Sequence, residues 1–345
     1  MPRMKTVNIH DVARIAGVGV GTVSRVLNGG AHVKRSTFVR VSAVIQRLKF
    51  RPNAQARRIQ RRRSEMVCFI LSNRPFLHPV HAAILQGAEA CARARNYHVV
   101  FVVVHHSESV PPNQIPLPPV LEERGWTDGV ILTGAVYPNL VRRIEMLGIP
   151  FVAFGNNVFG LKGRRRFDQV CYDGAKGEFE ATEYLIGQGH RSIAFVGDIS
   201  YPWFREQCQG YVGAMRANKL RPILLTSQQN RNSVGYGEAA ATSFLKKKSL
   251  PTAILAGNDE IAYGLWRSFR RRGVRVPQDV SLIGLDDLEI GLMMEPPLTT
   301  IRVLKEEIGR ACMVLLHERL HHRHLGWAQR IVQTKLVMRG TVWPR

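Results

Sequence analysis

Long apolar runs are missing from this 345-residue chain. The strongest, Val99 to Val104, has the length of a strand and falls far short of the ~20 residues that cross a bilayer. No apolar leader core follows Met1, so the expected location is the cytoplasm, with no membrane partner. Cysteine is sparse. Cys68, Cys91, Cys171, Cys208 and Cys312 are odd in number, scattered and never spaced as CxxC. That pattern argues against a disulfide framework or a metal site and for small buried thiols. No G-x-G-x-x-G follows a first strand; Gly17-Val-Gly-Val-Gly21 has a superficial likeness to such a loop but joins two helical segments. Paired carboxylates, ligand clusters and nucleophile constellations are also lacking. No catalytic residue, metal or cofactor is therefore expected, and the chain reads as a non-enzyme.

Acidic residues are scarce as well: 26 Asp and Glu face 49 Lys and Arg, a net charge of +23. The excess is uneven. Residues 1–65 hold 15 basic residues and two acidic ones, Asp11 and Glu65, which places +13 in the first fifth of the chain. The natural partner of such a segment is a polyanion. Later runs such as Arg164-Arg165-Arg166, Lys246-Lys247-Lys248 and Arg270-Arg271-Arg272 read mainly as solvated helix ends and loops, with a nonspecific nucleic-acid contact as the lesser reading. Apolar residues make up 45%, enough for true cores, and the length suits two or three domains.

Residues 6–50 carry the spacing of three helices. Asn8 can cap the first, which places Ile9, Val12, Ala13 and Ala16 on one face and ends at Gly17. A second starts near Val20, turns Val23, Val26 and Leu27 inward and stops at Asn28-Gly29-Gly30. A third runs from Arg35 to Leu48 with Phe38, Val41, Val44, Ile45 and Leu48 in register. Two short helices joined by a tight turn and backed by a longer one outline a helix-turn-helix headpiece over 1–51. Residues 52–65 are short, polar and basic and read as a hinge.

From Met66 the pattern becomes strands alternating with helices. Strand-like runs fall at 67–71, 98–104, 129–133, 150–154, 169–172, 193–197, 222–226, 252–256, 280–285 and 299–303. Helical segments fall at 80–95, 136–147, 174–188, 206–218, 235–247 and 259–272. The alternation predicts doubly wound parallel sheets, and their strand number predicts two α/β subdomains facing a cleft over 66–345. The proline-rich stretch 107–119 reads as an irregular surface loop.

The run Ile9-His-Asp-Val-Ala-Arg-Ile-Ala-Gly-Val-Gly-Val-Gly-Thr-Val-Ser-Arg-Val-Leu-Asn28 resembles the headpiece of the lac-repressor family of bacterial transcription regulators. The resemblance continues through Arg51-Pro-Asn-Ala54, Gly189 to Phe195, Pro251 to Ile254, Gly257-Asn-Asp259, Val280 to Asp287 and Pro296 to Ile301, in order along nearly the whole chain. It implies a periplasmic-binding-protein type of sensing domain and a repressor controlled by a small-molecule effector. A true periplasmic binding protein would share the cleft, but the basic headpiece and missing leader argue against it. The resemblance also implies a homodimer on double-stranded operator DNA. It places the recognition helices in the major grooves and the hinge helices in the minor groove. No leucine heptad follows Val342, so a tetramer is not expected.

The base-choosing positions of the family correspond here to Val20 and Gly21. Neither has a hydrogen-bonding side chain, so readout there rests on shape and methyl contacts. Thr22 and Ser24 can reach phosphate oxygens. Arg25 can take a guanine edge or a phosphate. Asn28, His32 and Asn53 correspond to backbone contacts, and Ala56, Arg57 and Ile59 to the hinge helix, with Ile59 where the family inserts a leucine between base steps. Lys34 replaces the usual Ser cap of the third helix. In the sensing domain the resemblance implies that Ser72, Phe76, His78, Trp203, Arg205, Gln207, Asn258 and Asp286 contact the effector. Gln207 stands where an arginine is common, which favours a neutral, sugar-like ligand unless Arg205 substitutes. Trp203 is equally a stacking face for a ring or a partly buried core residue.

Overall fold

The computed structural model describes residues 7–27, 32–50, 63–74, 77–160, 167–226, 233–247, 250–322, 324 and 326–345. Chain packing divides it into two compact units, Met1–Ser64 and Glu65–Arg345.

The first unit holds α1 (Ile9–Ala16), α2 (Val20–Leu27) and α3 (Arg35–Arg47). Asn8 starts α1 through a reciprocal capping box: its side-chain oxygen accepts from the His10 and Asp11 amides, and Asp11 accepts from the Asn8 amide. Gly17 ends it in the left-handed conformation, φ 63°, where a side chain would be strained. The core is small and mostly valine and alanine: Val12, Ala13, Ala16, Val23, Val26, Val41, Val44 and Phe50. Phe38, expected in that core, is instead 38% exposed. It sits only one turn into α3, whose buried positions begin at Val41. Lys34 precedes α3 without any side-chain cap bond.

The second unit contains two six-stranded sheets. The first combines β1 (Met66–Ser72), β2 (His98–Val104), β3 (Gly129–Gly134), β4 (Phe151–Phe154) and β5 (Asp168–Tyr172) with β11 (Gln329–Val332), in the order β11-β5-β4-β3-β1-β2. All its pairings are parallel, and Val67 of β1 lies between Val99 and Gly129. The second combines β6 (Ile193–Val196), β7 (Ile223–Leu225), β8 (Ala253–Ala256), β9 (Ser281–Asp286) and β10 (Thr299–Arg302) with β12 (Lys335–Val337). Its order is β12-β10-β9-β8-β6-β7, with only β12 antiparallel. Central strands are buried on both faces, which is why they read as continuous apolar runs.

Helices α4 (Pro79–Arg93), α5 (Pro138–Leu147), α6 (Gly174–Gly187), α7 (Pro202–Ala217), α8 (Ser233–Leu245), α9 (Asp259–Arg270) and α10 (Lys305–His321) cover the sheets. The chain passes between subdomains after β5, after β10 and again after β11, so each subdomain contains distant pieces of sequence.

Helix α10 and the strands β11 and β12 lie beyond the segments expected from the sequence. A bidentate ion pair fixes the returning segment to the first subdomain. Arg319 Nε and Nη2 of α10 lie 2.6 and 2.9 Å from the Asp168 carboxylate of β5, which also accepts from the Ala328 amide at 2.8 Å. The proline-rich stretch is not merely a surface loop. Two short helical turns, Pro112–Gln114 and Pro119–Glu122, let it bury Ile115, Leu117 and Leu121 against the first sheet. All five cysteines are buried and none is in a disulfide.

Candidate nucleic-acid interface and effector cleft

On α2 the apolar spacing turns Val23 and Val26 into the headpiece core and leaves the other face outward. Gly21 and Arg25 are exposed there, while Val20, Thr22 and Ser24 are half-buried. Arg25 Nε donates to the Gly21 carbonyl at 3.2 Å, so the guanidinium lies back along the first turn of its own helix. It must leave that carbonyl, or share it, to engage a guanine edge. His32 is exposed, with a left-handed backbone, φ 62°. Asn28, Asn53, Ala56, Arg57 and Ile59 lie outside the described residues, and so does nearly all of the hinge.

A cavity of about 410 Å³ opens between the two subdomains of the second unit, at the carboxyl edges of both sheets. Loops leaving parallel strands converge there, and helix N-termini point the same way. Arg74, His78 and His81 reach it from the first subdomain, Asp198, Trp203, Asn258, Glu260 and Asp286 from the second, and Tyr172 and Val303 from the crossovers.

Asp286 ends β9 and is 9% exposed. Burial pushes its carboxyl up to about 6, while Lys305 and His78 pull it down and Glu260 raises it. Its backbone is held at φ 107°, a region side chains rarely adopt, and Lys305 Nζ donates to its carbonyl oxygen. Next to it, Asp259 is pinned by the Leu288 amide and the Thr300 hydroxyl, both at 2.6 Å.

Among the contacts that span the cleft, two involve its charged lining. His78 Nε2, from the cap of α4, is 3.3 Å from Glu260 Oε1 in the first turn of α9. Its proximity holds the Glu260 carboxyl below the ordinary range. The Arg74 guanidinium sits 4.9 Å above the Trp203 ring, whose other neighbours are Tyr201, Phe204 and Phe159. Arg74 Nε is buried without a hydrogen-bond partner. Behind them His81, forced down to about 3 by burial and then by Arg74 and His78, stays neutral.

Of the sequence-derived effector residues, His78, Trp203, Asn258 and Asp286 line this cavity. Asn258 has its side-chain oxygen committed to the Ile261 amide as the cap of α9, leaving its amide nitrogen near Ser233. Ser72, Arg205 and Gln207 are not among the lining residues. Ser72 is wholly buried and donates to the Ala135 carbonyl. Arg205 turns away and donates to the carbonyls of Ile199 and Ser200, each at 3.1 Å. Gln207 is buried behind the cavity and donates to the Tyr172 hydroxyl. Phe76 lies outside the described residues. The argument for a neutral ligand from Gln207 therefore fails, since that side chain does not face the ligand, and Arg205 is no substitute. Arg74, Asp198 and Glu260 were missed. Arg74 and Asp198 each stand two residues past a strand end and Glu260 follows the cap of α9, which is the positional signal that could have found them.

Among the described residues no helix is long and apolar enough to cross a membrane. Residues 8–53 match the model of bacterial regulatory proteins of the lacI family, and residues 182–342 match the periplasmic binding protein-like domain. The chain is 30% identical to catabolite control protein A of Priestia megaterium over 90% of its own length and 91% of that protein. It is 28% identical to the HTH-type transcriptional repressor CytR of Escherichia coli K12, over 96% of this chain and 95% of the other. The solved complex of the transcriptional regulator CelR with cellobiose superposes with a TM-score of 0.70 at 27% identity, covering 97% of this chain and 99% of that one.

Proposed function

The chain belongs to the lacI family of bacterial regulatory proteins and is a DNA-binding transcription regulator, and from that premise we propose that a small, uncharged, polar ring compound of the sugar class controls its grip on operator DNA. The observation that carries the effector half is the cleft itself. Its wall offers the Trp203 ring, on which the Arg74 guanidinium now rests, hydrogen-bond acceptors at Asp286 and Asp198, and a donor at Arg74, so opposite charges are both present. A polyhydroxylated ring matches that mixture better than a strongly charged anion, which would meet the carboxylates of Asp286, Glu260 and Asp198. CelR, a relative in sequence and fold, is seen with the sugar cellobiose.

The protein acts in the cytoplasm as a homodimer, without catalysis, and represses transcription. Val20, Gly21 and Arg25 read bases, while Thr22, Ser24 and His32 hold phosphates; Asn28, Asn53, Ala56, Arg57 and Ile59 complete the DNA contact. The domain boundaries follow: headpiece 1–51, hinge 52–65, sensing domain 66–345. A ligand switches such a protein only by binding its two subdomain angles unequally. The His78–Glu260 and Arg74–Trp203 contacts span the cleft, so an occupant that inserts between them changes that angle's preference. Calorimetry against panels of neutral sugars, sugar phosphates and carboxylates tests the reading. Binding among the neutral sugars, abolished in Asp286→Ala, is expected; tight binding confined to an anion overturns the neutral class.

A further inference from the structure

Outside residues 1–65 the chain carries a net +10, and most of it is concentrated in one place. The four segments that enter β6, β7, β8 and β9 are residues 188–192, 218–222, 246–252 and 271–280. Together they hold nine lysines and arginines and a single acid, Asp279. These strands are parallel neighbours in one sheet, so the described residues of all four segments emerge at the same edge, opposite the effector cleft. The rest of the sensing unit is nearly balanced.

The helix macrodipole explains part of this. Helices α6, α7, α8 and α9 end at that edge, and a cation in a last turn is favourable. That accounts for Arg216, Arg267 and Arg270, inside the helices, but not for the cations beyond their ends. Carboxylates at this edge are too few to occupy them. Asp279 is held by Arg275 at 2.7 Å, and Glu238 takes Arg267 at 2.7 Å and Arg271 at 3.6 Å. Lys247 instead lies over the Phe244 ring and Arg270 over the Trp266 ring, 5.6 and 5.3 Å from the centroids. Their charged heads are exposed, yet their stems are ordered against their own helices. Helices α8 and α9 pack together; Lys246 and Lys247 follow the end of α8, and Arg271 and Arg272 follow the end of α9.

We infer that this edge is a second docking surface for duplex nucleic acid, engaging its phosphate backbone without reading bases. Arginine forks suit phosphate oxygens, and a transcription regulator works where duplex is the abundant polyanion. The partner is thus a second DNA segment rather than an acidic protein. The surface lets a protein bound through its headpieces hold another stretch of DNA by charge alone.

Lysine acetylation of the full-length protein, mapped by mass spectrometry, tests this with two probes at equal charge: a random-sequence 24-base-pair duplex and polyglutamate. The duplex is expected to protect Lys246 and Lys247 along with the headpiece lysines Lys34 and Lys49, and to protect them more strongly than polyglutamate does. The variant carrying Lys246→Gln, Lys247→Gln, Arg271→Gln and Arg272→Gln replaces exposed side chains but gives up the Arg271–Glu238 pair and the Arg272 bond to the Ser268 hydroxyl, so its melting temperature, measured alongside, should fall only slightly. Its slope of log affinity for the duplex against log salt should fall by about 3.6, given roughly 0.9 for each of four lost phosphate contacts. Protection limited to Lys34 and Lys49, or an unchanged salt slope, overturns the inference. Protection by polyglutamate equal to or greater than that by duplex assigns the surface to an acidic protein and overturns it too.

Discussion

The headpiece and the sensing unit are stabilised by different kinds of interaction. Among the described residues the headpiece buries no ionisable side chain; its core is eight mostly small apolar residues under a surface of excess positive charge. The sensing unit buries Asp168, Glu178, Asp259, Asp286 and Arg319, in most cases within a hydrogen-bond network. Glu178 stands apart: neither carboxyl oxygen has a hydrogen-bond partner, and burial drives it well above the usual carboxylate range, which favours the neutral acid. The difference teaches where each unit responds to its surroundings. A small apolar core under like charges is sensitive to salt and to the ends of its helices, whereas buried carboxylates tie the other unit to proton concentration and to ligand.

The harshest way to break this contrast is Asp168→Ala. It strands Arg319 in a largely buried site, so the sensing unit should lose roughly 3–5 kcal/mol, the usual cost of removing one partner of a buried pair. All five tryptophans lie beyond residue 125, so urea unfolding followed by tryptophan fluorescence reports this unit alone. A loss below about 1 kcal/mol would show the pair to be solvated after all.

A milder effect is expected from pH. Asp286 titrates at about 6, above an ordinary aspartate, so a ligand hydroxyl that donates to its carboxylate meets the ionised form above that pH and loses it as pH falls. Effector affinity should drop about tenfold between pH 7 and pH 5, one unit either side of that midpoint. Lys305, His78 and Glu260 face the same carboxyl, so the decisive control is Asp286→Asn, in which the drop should vanish. An identical pH profile in that variant would move the titration to another group.

The smallest change sharpens the contrast from the headpiece side. Lys34 gives α3 no side-chain cap, so Lys34→Ser should stabilise the headpiece by about 1 kcal/mol and leave tryptophan-reported unfolding untouched. Helical circular dichroism through the headpiece transition measures it, and no gain would mean that the introduced hydroxyl does not reach the free amides.

Much of the architecture was legible because parallel strands buried on both faces announce themselves, as Val67 to Leu71 and Leu282 to Leu285 do. Helix α10 was not. Its buried face, Ile308, Ala311, Cys312, Leu315, Leu316 and Leu320, is widened by Gly309 and Met313 and interrupted by Arg319, a cation whose partner lies 151 residues away. The cleft shows the same limit. The family resemblance placed Asp286 and His78, but the inward turn of Gln207 toward Tyr172 and the reach of Arg74 across to Trp203 depend on how two subdomains face each other. Residue identity alone carries no record of that approach.

The interleaving of the subdomains also sets an order of assembly during synthesis. The first sheet gains β5 at residue 172 but its edge strand β11 only at residue 332, and α10, which covers α4, is made just before that. At 5–20 residues per second the ribosome takes on the order of 10 s to cover that interval. Throughout it, the nascent first subdomain exposes the apolar side of β5 and of α4, while the headpiece, complete from residue 50 onward, has long been free to fold. A chain that stops short of residue 332 would therefore carry an intact DNA-binding head on a sensing domain lacking one wall.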